Sequence, residues 1–140
     1  MSKSTAKTYK KTVWKSFARY IKARDANFYG VCVCCTCSKF MEWNSPDCQA
    51  GHFVSGRSNN VLFDDQLVYA QCSACNNYGS GRQWEFGKFL MEKFGYDYAT
   101  LDEMQSRKNI VKKYTMQELK ELKEYFDKEA DRIIKEKGLI

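Results

Sequence analysis

A chain of 140 residues, 44% hydrophobic and 15% aromatic, holds enough apolar side chain for one modest core and too much for a disordered polymer. No apolar run approaches a membrane span and the N-terminus lacks a signal-peptide core, so a cytoplasmic protein without a membrane partner is expected. The net charge of +6 is concentrated: residues 1–24 carry eight Lys and Arg and no acid, 25–98 carry five basic against eight acidic residues, and 99–140 carry ten against nine.

That one-sided charge suits a polyphosphate partner, and a solubilising tail would carry it equally well. Residues 1–9 read as a mobile basic arm. Over 10–26, Val13, Trp14, Phe17, Tyr20 and Ile21 recur at three- and four-residue steps. This predicts a helix with one apolar face, and with Lys11, Lys15, Arg19 and Lys22 turned elsewhere. Those cations could track a phosphate backbone; an ordinary packed helix with a solvated face has the same pattern. A turn at 27–30, a short strand at 39–43, a turn at 44–47 and a return strand at 48–54 follow. The return strand carries His52, the only histidine.

The polar loop 55–60 holds Arg57 in its middle. The apolar piece 61–63, the turn 64–66 and the segment 67–71 lead to a helix starting near Cys72. That helix is expected to break at 79–81 and resume over 83–94, with Trp84, Phe86, Phe89, Leu90 and Phe94 inward. Thr100-x-x-Glu103 and Thr115-x-x-Glu118 have capping-box spacing and predict two more helices. The last is amphipathic through Leu119, Leu122, Phe126, Ala130 and Ile133, with Glu124–Lys128 and Asp131–Lys135 as exposed i,i+4 pairs. Its apolar stripe can pack on the domain or dimerise.

Seven cysteines cannot all pair within one chain, and in a reducing compartment they are metal ligands or buried thiols. Cys72 and Cys75 form one Cys-x-x-Cys pair. Upstream, Cys34/Cys37 and Cys32/Cys35 both satisfy that gap, and spacing does not choose between them. Two such pairs can place four thiolates around one tetrahedral Zn²⁺ at about 2.3 Å. His52 lies between the pairs. It can be a ligand, for example with Cys48, or a general base beside a separate catalytic metal, or a bridge between backbone groups. Four paired cysteines already fill one zinc, which favours the base.

The central stretch resembles the NinG/Rap family of phage recombination endonucleases, a branch of the HNH (ββα-metal, treble-clef) nucleases. The likeness rests on Tyr20-Ile21-Lys22-Ala23-Arg24-Asp25-Ala26, Cys34-x-x-Cys37 with Trp43, Ala50-Gly51-His52-Phe53, Phe63, Gln71-Cys72-x-x-Cys75-Asn76, and Ser80-Gly81-Arg82-Gln83-x-Glu85-Phe86-Gly87 running on to Gly95. It covers residues 20–95 and selects Cys34 and Cys37, which keep the distance to Trp43. It implies His52 as general base, Asn76 as the third HNH position at the catalytic metal, Mg²⁺ or Mn²⁺ there, and structural Zn²⁺ on the four cysteines. The implied reaction is phosphodiester hydrolysis in branched recombination intermediates such as Holliday junctions. Gly51 stands where many HNH sites have Asp, Leu67 where they have Asn, and Arg82 where the family often has Asn. The nearest carboxylates for a hard cation are then Asp64 and Asp65, which also read as turn residues.

The expected protein is therefore α+β. A basic arm and helix at 1–26 precede a zinc-stabilised treble-clef core at 27–95, with a helical extension at 96–140. The expected activity is a metal-dependent DNA endonuclease in the host cytoplasm, acting on branched or single-stranded DNA, as a possible homodimer. Arg57 and Arg82 would hold the strand at the site, and Lys11, Lys15 and Arg19 the flanking backbone. The competing class is a non-catalytic zinc-dependent DNA-binding or adaptor protein built on the same scaffold.

Overall fold

No Gly or Pro interrupts residues 3–25, and the helix they form is longer than its apolar stripe suggests. The computed structural model describes residues 3–140, and in it α1 runs over Lys3–Asp25. Of the expected basic arm, Met1 and Ser2 lie outside the described residues. The remainder is helical, because Tyr9 still packs on the core and Lys10 Nζ reaches Asn59 Oδ1 at 3.1 Å.

The architecture is mixed α+β. Strands β1 (Val31–Val33) and β2 (Phe40–Glu42) pair antiparallel as one hairpin. Strands β3 (Cys48–His52) and β4 (Val68–Cys72) form a second, with Cys48 opposite Cys72 and His52 opposite Val68. A short helix α2 (Asn59–Leu62) occupies part of the expected polar loop. Beyond β4 come a π-helical turn (Ala74–Tyr78), α3 (Gln83–Phe94), α4 (Tyr98–Ser106), a 3-10 turn (Arg107–Asn109) and α5 (Met116–Lys137).

Two helix starts test the capping signals. Thr115 and Glu118 make the full reciprocal box that opens α5. Thr100 does not cap α4. Asp97 does, its carboxylate accepting from the Thr100 N–H at 2.9 Å and the Thr100 hydroxyl at 2.8 Å. In α3 the buried face is Phe86, Gly87 and Leu90. Trp84, 69% exposed, and Phe94, 41% exposed, are not buried as expected, although Phe94 lies against Tyr69 with ring centroids 5.8 Å apart.

The apolar stripe of α5 is spent within the chain. Leu119, Phe126, Ala130 and Ile133 bury against Val13, Phe17, Tyr20 and Ile21 of α1. The Phe17 and Phe126 rings lie 4.8 Å apart and edge-on. Burial of each such ring is worth about 1.5–3 kcal/mol. Of the expected surface pairs, Glu124–Lys128 forms at 2.9 Å, whereas Asp131 pairs with Arg19 of α1 at 2.8 Å instead of Lys135.

The end of α1 is fastened twice. Arg24 donates to the carbonyls of Asp65 at 2.8 Å and Val68 at 2.7 Å, and Asp25 accepts the Ala70 N–H at 2.8 Å, which fixes α1 against β4. Lys137, at the end of α5, donates to the carbonyls of Ala23, Arg24 and Ala26 at 2.9, 2.8 and 2.6 Å. Ala23 and Arg24 are last-turn acceptors of α1 that no helical N–H can satisfy, and Ala26 directly follows the helix. Lys137→Met keeps the stem and removes the donor. It is expected to lower stability by about 1–3 kcal/mol, read as a lower urea midpoint with an unchanged slope.

Candidate functional site

The knuckle between β1 and β2 carries the first cysteine pair. Its tight turn is closed by Cys34 N–H to the Lys39 carbonyl at 2.8 Å and Ser38 N–H to the Cys34 carbonyl at 2.9 Å. Ser38 takes the left-handed φ of 66° that completes it. The second pair spans the end of β4 and the following turn. The ligand sulfurs of Cys34, Cys37, Cys72 and Cys75 all lie within 4.8 Å of one another. Cys37 Sγ and Cys72 Sγ are 3.7 Å apart, close to the edge of about 3.8 Å for a tetrahedron with 2.3 Å Zn–S bonds. Burial pushes the Cys34 thiol up, but the Cys72 N–H, the Thr36 hydroxyl and further backbone donors outweigh it and bring the thiol down to about 6. The site is therefore a four-sulfur position that can hold a structural ion such as Zn²⁺. Cys32 has no part in it. Its thiol donates to the Lys22 carbonyl at 3.3 Å, buried against α1. The register is Cys34/Cys37.

A cleft of about 590 Å³ opens beside this centre, between α1, β3 and the turn after β4. His52 and Asn76 both line it, with Lys22, Gln49, Arg57 and Trp14. His52 Nε2 lies 3.1 Å from the Leu62 carbonyl. A carbonyl only accepts, so Nε2 carries the proton and Nδ1 keeps its lone pair. The imidazole stacks on the Trp14 indole with centroids 5.1 Å apart and planes at 18°. The Arg57 guanidinium lies 4.4 Å from the centroid of that indole. Burial pushes the imidazole below its ordinary 6.5; the Leu62 carbonyl opposes that and Arg57 adds to it. Asn76 donates its amide to Gln49 Oε1 at 2.8 Å.

Gly51, directly before His52, has a steric reason. A Cβ there would collide with Gln71 Oε1. Gln71 is fully buried and held by its amide nitrogen, which donates to Thr36 Oγ1 at 3.0 Å and the Gly81 carbonyl at 2.9 Å. No side chain fits at position 51 while Gln71 is in place.

The acidic candidates are elsewhere. Asp64 accepts from Arg107 Nη1 at 2.8 Å and from the Gln66 N–H at 3.1 Å; Asp65 accepts from the Tyr20 hydroxyl at 2.9 Å. Neither lines the cleft, and no carboxylate does among the described residues. A hard divalent cation is held chiefly by carboxylate oxygens, so these residues do not fit a resident Mg²⁺ or Mn²⁺. Positive charge comes from Lys22 and Arg57 instead. Arg82 takes a left-handed φ of 47° at the start of α3, exposed and outside the cleft lining. Arg19 is engaged by Asp131. Lys11 and Lys15 are exposed, at helical steps from Ala18 and Lys22, which line the cleft.

Trp14, Gln49 and Leu62 are site residues that the sequence reading placed in the core or gave no role, whereas Lys22 was already among the cations of α1 that could meet a phosphate backbone. The one available signal was the four-residue step Trp14–Ala18–Lys22. The match to known families decides the identity: the family described as bacteriophage lambda NinG protein matches residues 2–136. The chain belongs to the NinG family. No curated protein and no solved structure matches it. NinG membership implies a role in phage recombination. No described helix of this NinG protein is long and apolar enough to cross a membrane.

Two outcomes are expected. Cys34→Ser should release zinc and unfold the core, whereas Cys32→Ser should retain the metal, read by zinc content and circular dichroism. Because the NinG chain has one histidine, its imidazole resonance titrates alone. The midpoint is expected below 6.5, and Arg57→Ala should raise it by removing a like charge. A midpoint that ignores Arg57→Ala would place the guanidinium away from the ring.

Proposed function

We propose that the chain is a DNA endonuclease of HNH type on a treble-clef core, cutting branched recombination intermediates such as Holliday junctions. The observation that carries the reading is His52. Its tautomer is fixed by Leu62, its basic nitrogen is unprotonated at neutral pH, and it lies in a cleft lined by Lys22 and Arg57. In this reading the scissile phosphate is held by those two cations. Nδ1 of His52 takes a proton from water, and the resulting hydroxide attacks phosphorus as the P–O3′ bond breaks; the leaving 3′-oxyanion takes its proton from solvent, giving a 5′-phosphate and a 3′-hydroxyl. The charge that builds on the phosphoryl oxygens faces Lys22 and Arg57. Asn76, braced by Gln49, supplies a polar contact to the same phosphate. Lys11 and Lys15 extend the positive face along α1, which gives affinity that falls steeply with salt. No step is routed through a resident divalent cation, because the cleft lacks the carboxylates to hold one.

That same lack favours a second reading, a non-catalytic zinc-dependent DNA-binding or adaptor protein. Purified protein incubated with labelled four-way, flapped and linear DNAs in Mg²⁺, Mn²⁺ and EDTA separates the two. Under the nuclease reading, His52→Ala lowers cleavage by about 10²–10⁴-fold while DNA binding and zinc persist. Wild-type protein that binds but cuts nothing in any buffer leaves the binding module. Loss of zinc from His52→Ala would make the imidazole a metal ligand and end the general-base assignment.

A further inference from the structure

Between α4 and α5 the chain runs Arg107-Lys108-Asn109-Ile110-Val111-Lys112-Lys113, a stretch without an acid. After the 3-10 turn the backbone is extended at Ile110 and joins no sheet. Ile110 is 58% and Val111 86% exposed. Free aliphatic side chains in a connecting segment often mean a loose loop, but this one is anchored. Ser58 Oγ donates to the Lys108 carbonyl at 3.3 Å, Asn59 Nδ2 to that of Lys112 at 3.0 Å, and Asn60 Nδ2 to that of Arg107 at 2.8 Å. Tyr114 returns a bond from its hydroxyl to the Asn59 carbonyl at 2.9 Å. The three anchoring side chains directly follow Arg57, so the segment is fixed relative to the cleft.

The charges around the aliphatic pair divide in two. Arg107 is taken by Glu103 and Asp64, and Lys112 by Glu118. Lys108 and Lys113 are exposed and make no ion pair among the described residues. Asn59 also receives Lys10 at 3.1 Å, which joins the segment to the basic face of α1. Two rigidly presented aliphatic side chains bracketed by unpaired lysines have the composition of an apolar wedge that enters DNA at an unstacked step, with cations on the neighbouring phosphates.

We propose that Ile110 and Val111 form such a wedge, inserted at the branch point of the DNA, with Lys108 and Lys113 on the flanking backbone. The inference rests on the DNA reading above and gives it a means of telling a branch from continuous duplex. A fully stacked duplex offers the pair no apolar surface, whereas a branch point exposes base faces at little cost.

The test uses the zinc-loaded full chain, a four-way junction carrying 2-aminopurine beside the branch, and a linear duplex of the same sequence. Wild-type protein is expected to raise the 2-aminopurine fluorescence of the junction and leave the duplex probe unchanged. Ile110→Ser/Val111→Ser should lose that rise and bind the junction about tenfold more weakly, with duplex affinity kept within about twofold. Lys108→Ala/Lys113→Ala should weaken both DNAs and flatten the log–log salt dependence by about two. All four positions are exposed or at the surface, and zinc content checks the fold of each variant. The wedge is overturned if the serine variant keeps the full fluorescence rise, or if it loses affinity equally for both DNAs. It is also overturned if that variant changes only the sedimentation of the protein, which would make the pair a contact between copies. Wild-type protein that binds neither DNA would instead overturn the reading beneath it.

Discussion

Four sulfur atoms drawn from two distant stretches of chain set the geometry of everything near the cleft. Without a cation between them, thiolates within 4.8 Å of one another repel; with one, their binding energy becomes folding energy. The constraint travels outward through named contacts. Cys34 Sγ meets Thr36 Oγ1, Thr36 receives the Gln71 amide, and the same amide holds the Gly81 carbonyl on the cleft wall. Gln71 thus links the sulfur cluster to the loop opposite His52, and its bulk is the reason β3 carries glycine at position 51.

A second frame lies outside the core. Arg24 and Asp25 fix α1 to β4, and Lys137 closes the carbonyl end of α1 from the far end of the sequence. Because α1 carries Trp14 and Lys22, these fastenings also set one wall of the cleft. The site is therefore a joint product of the central hairpins and of a helix whose last turns alone fall within the central motifs.

Much of this was legible in the sequence, and the failures have physical causes. The repeated Cys-x-x-Cys gap announced the metal position, and the Thr115 box announced α5. The gap did not choose between two registers, because that choice lies in a turn: only the Cys34 backbone closes on Lys39. Thr100 misled because Asp97 stands three residues before it, and the stronger acceptor took the cap. Asp64 and Asp65 follow His52 closely in sequence, yet Arg107 and Tyr20 claim them. Beyond its four-residue step to Ala18 and Lys22, Trp14 carried no sign of its role, since an aromatic on an apolar helical stripe reads as core whether it meets a leucine or an imidazole. The left-handed run at Ser80, Gly81 and Arg82 shows the reverse case. Asparagine adopts that backbone more readily than arginine does, so Arg82 holds a conformation that its residue type does not announce.

One asymmetry in the sulfur cluster bears on how long the protein lasts. Cys34, Cys72 and Cys75 are at most 3% exposed, whereas Cys37 lies at the surface. An ion held there is sealed on three sides and open on the fourth. Chelators and oxidants must begin at that outer thiolate, and the inner three yield only after the knuckle lifts. The durability of the whole domain in a hostile medium is then governed by a single residue at its rim.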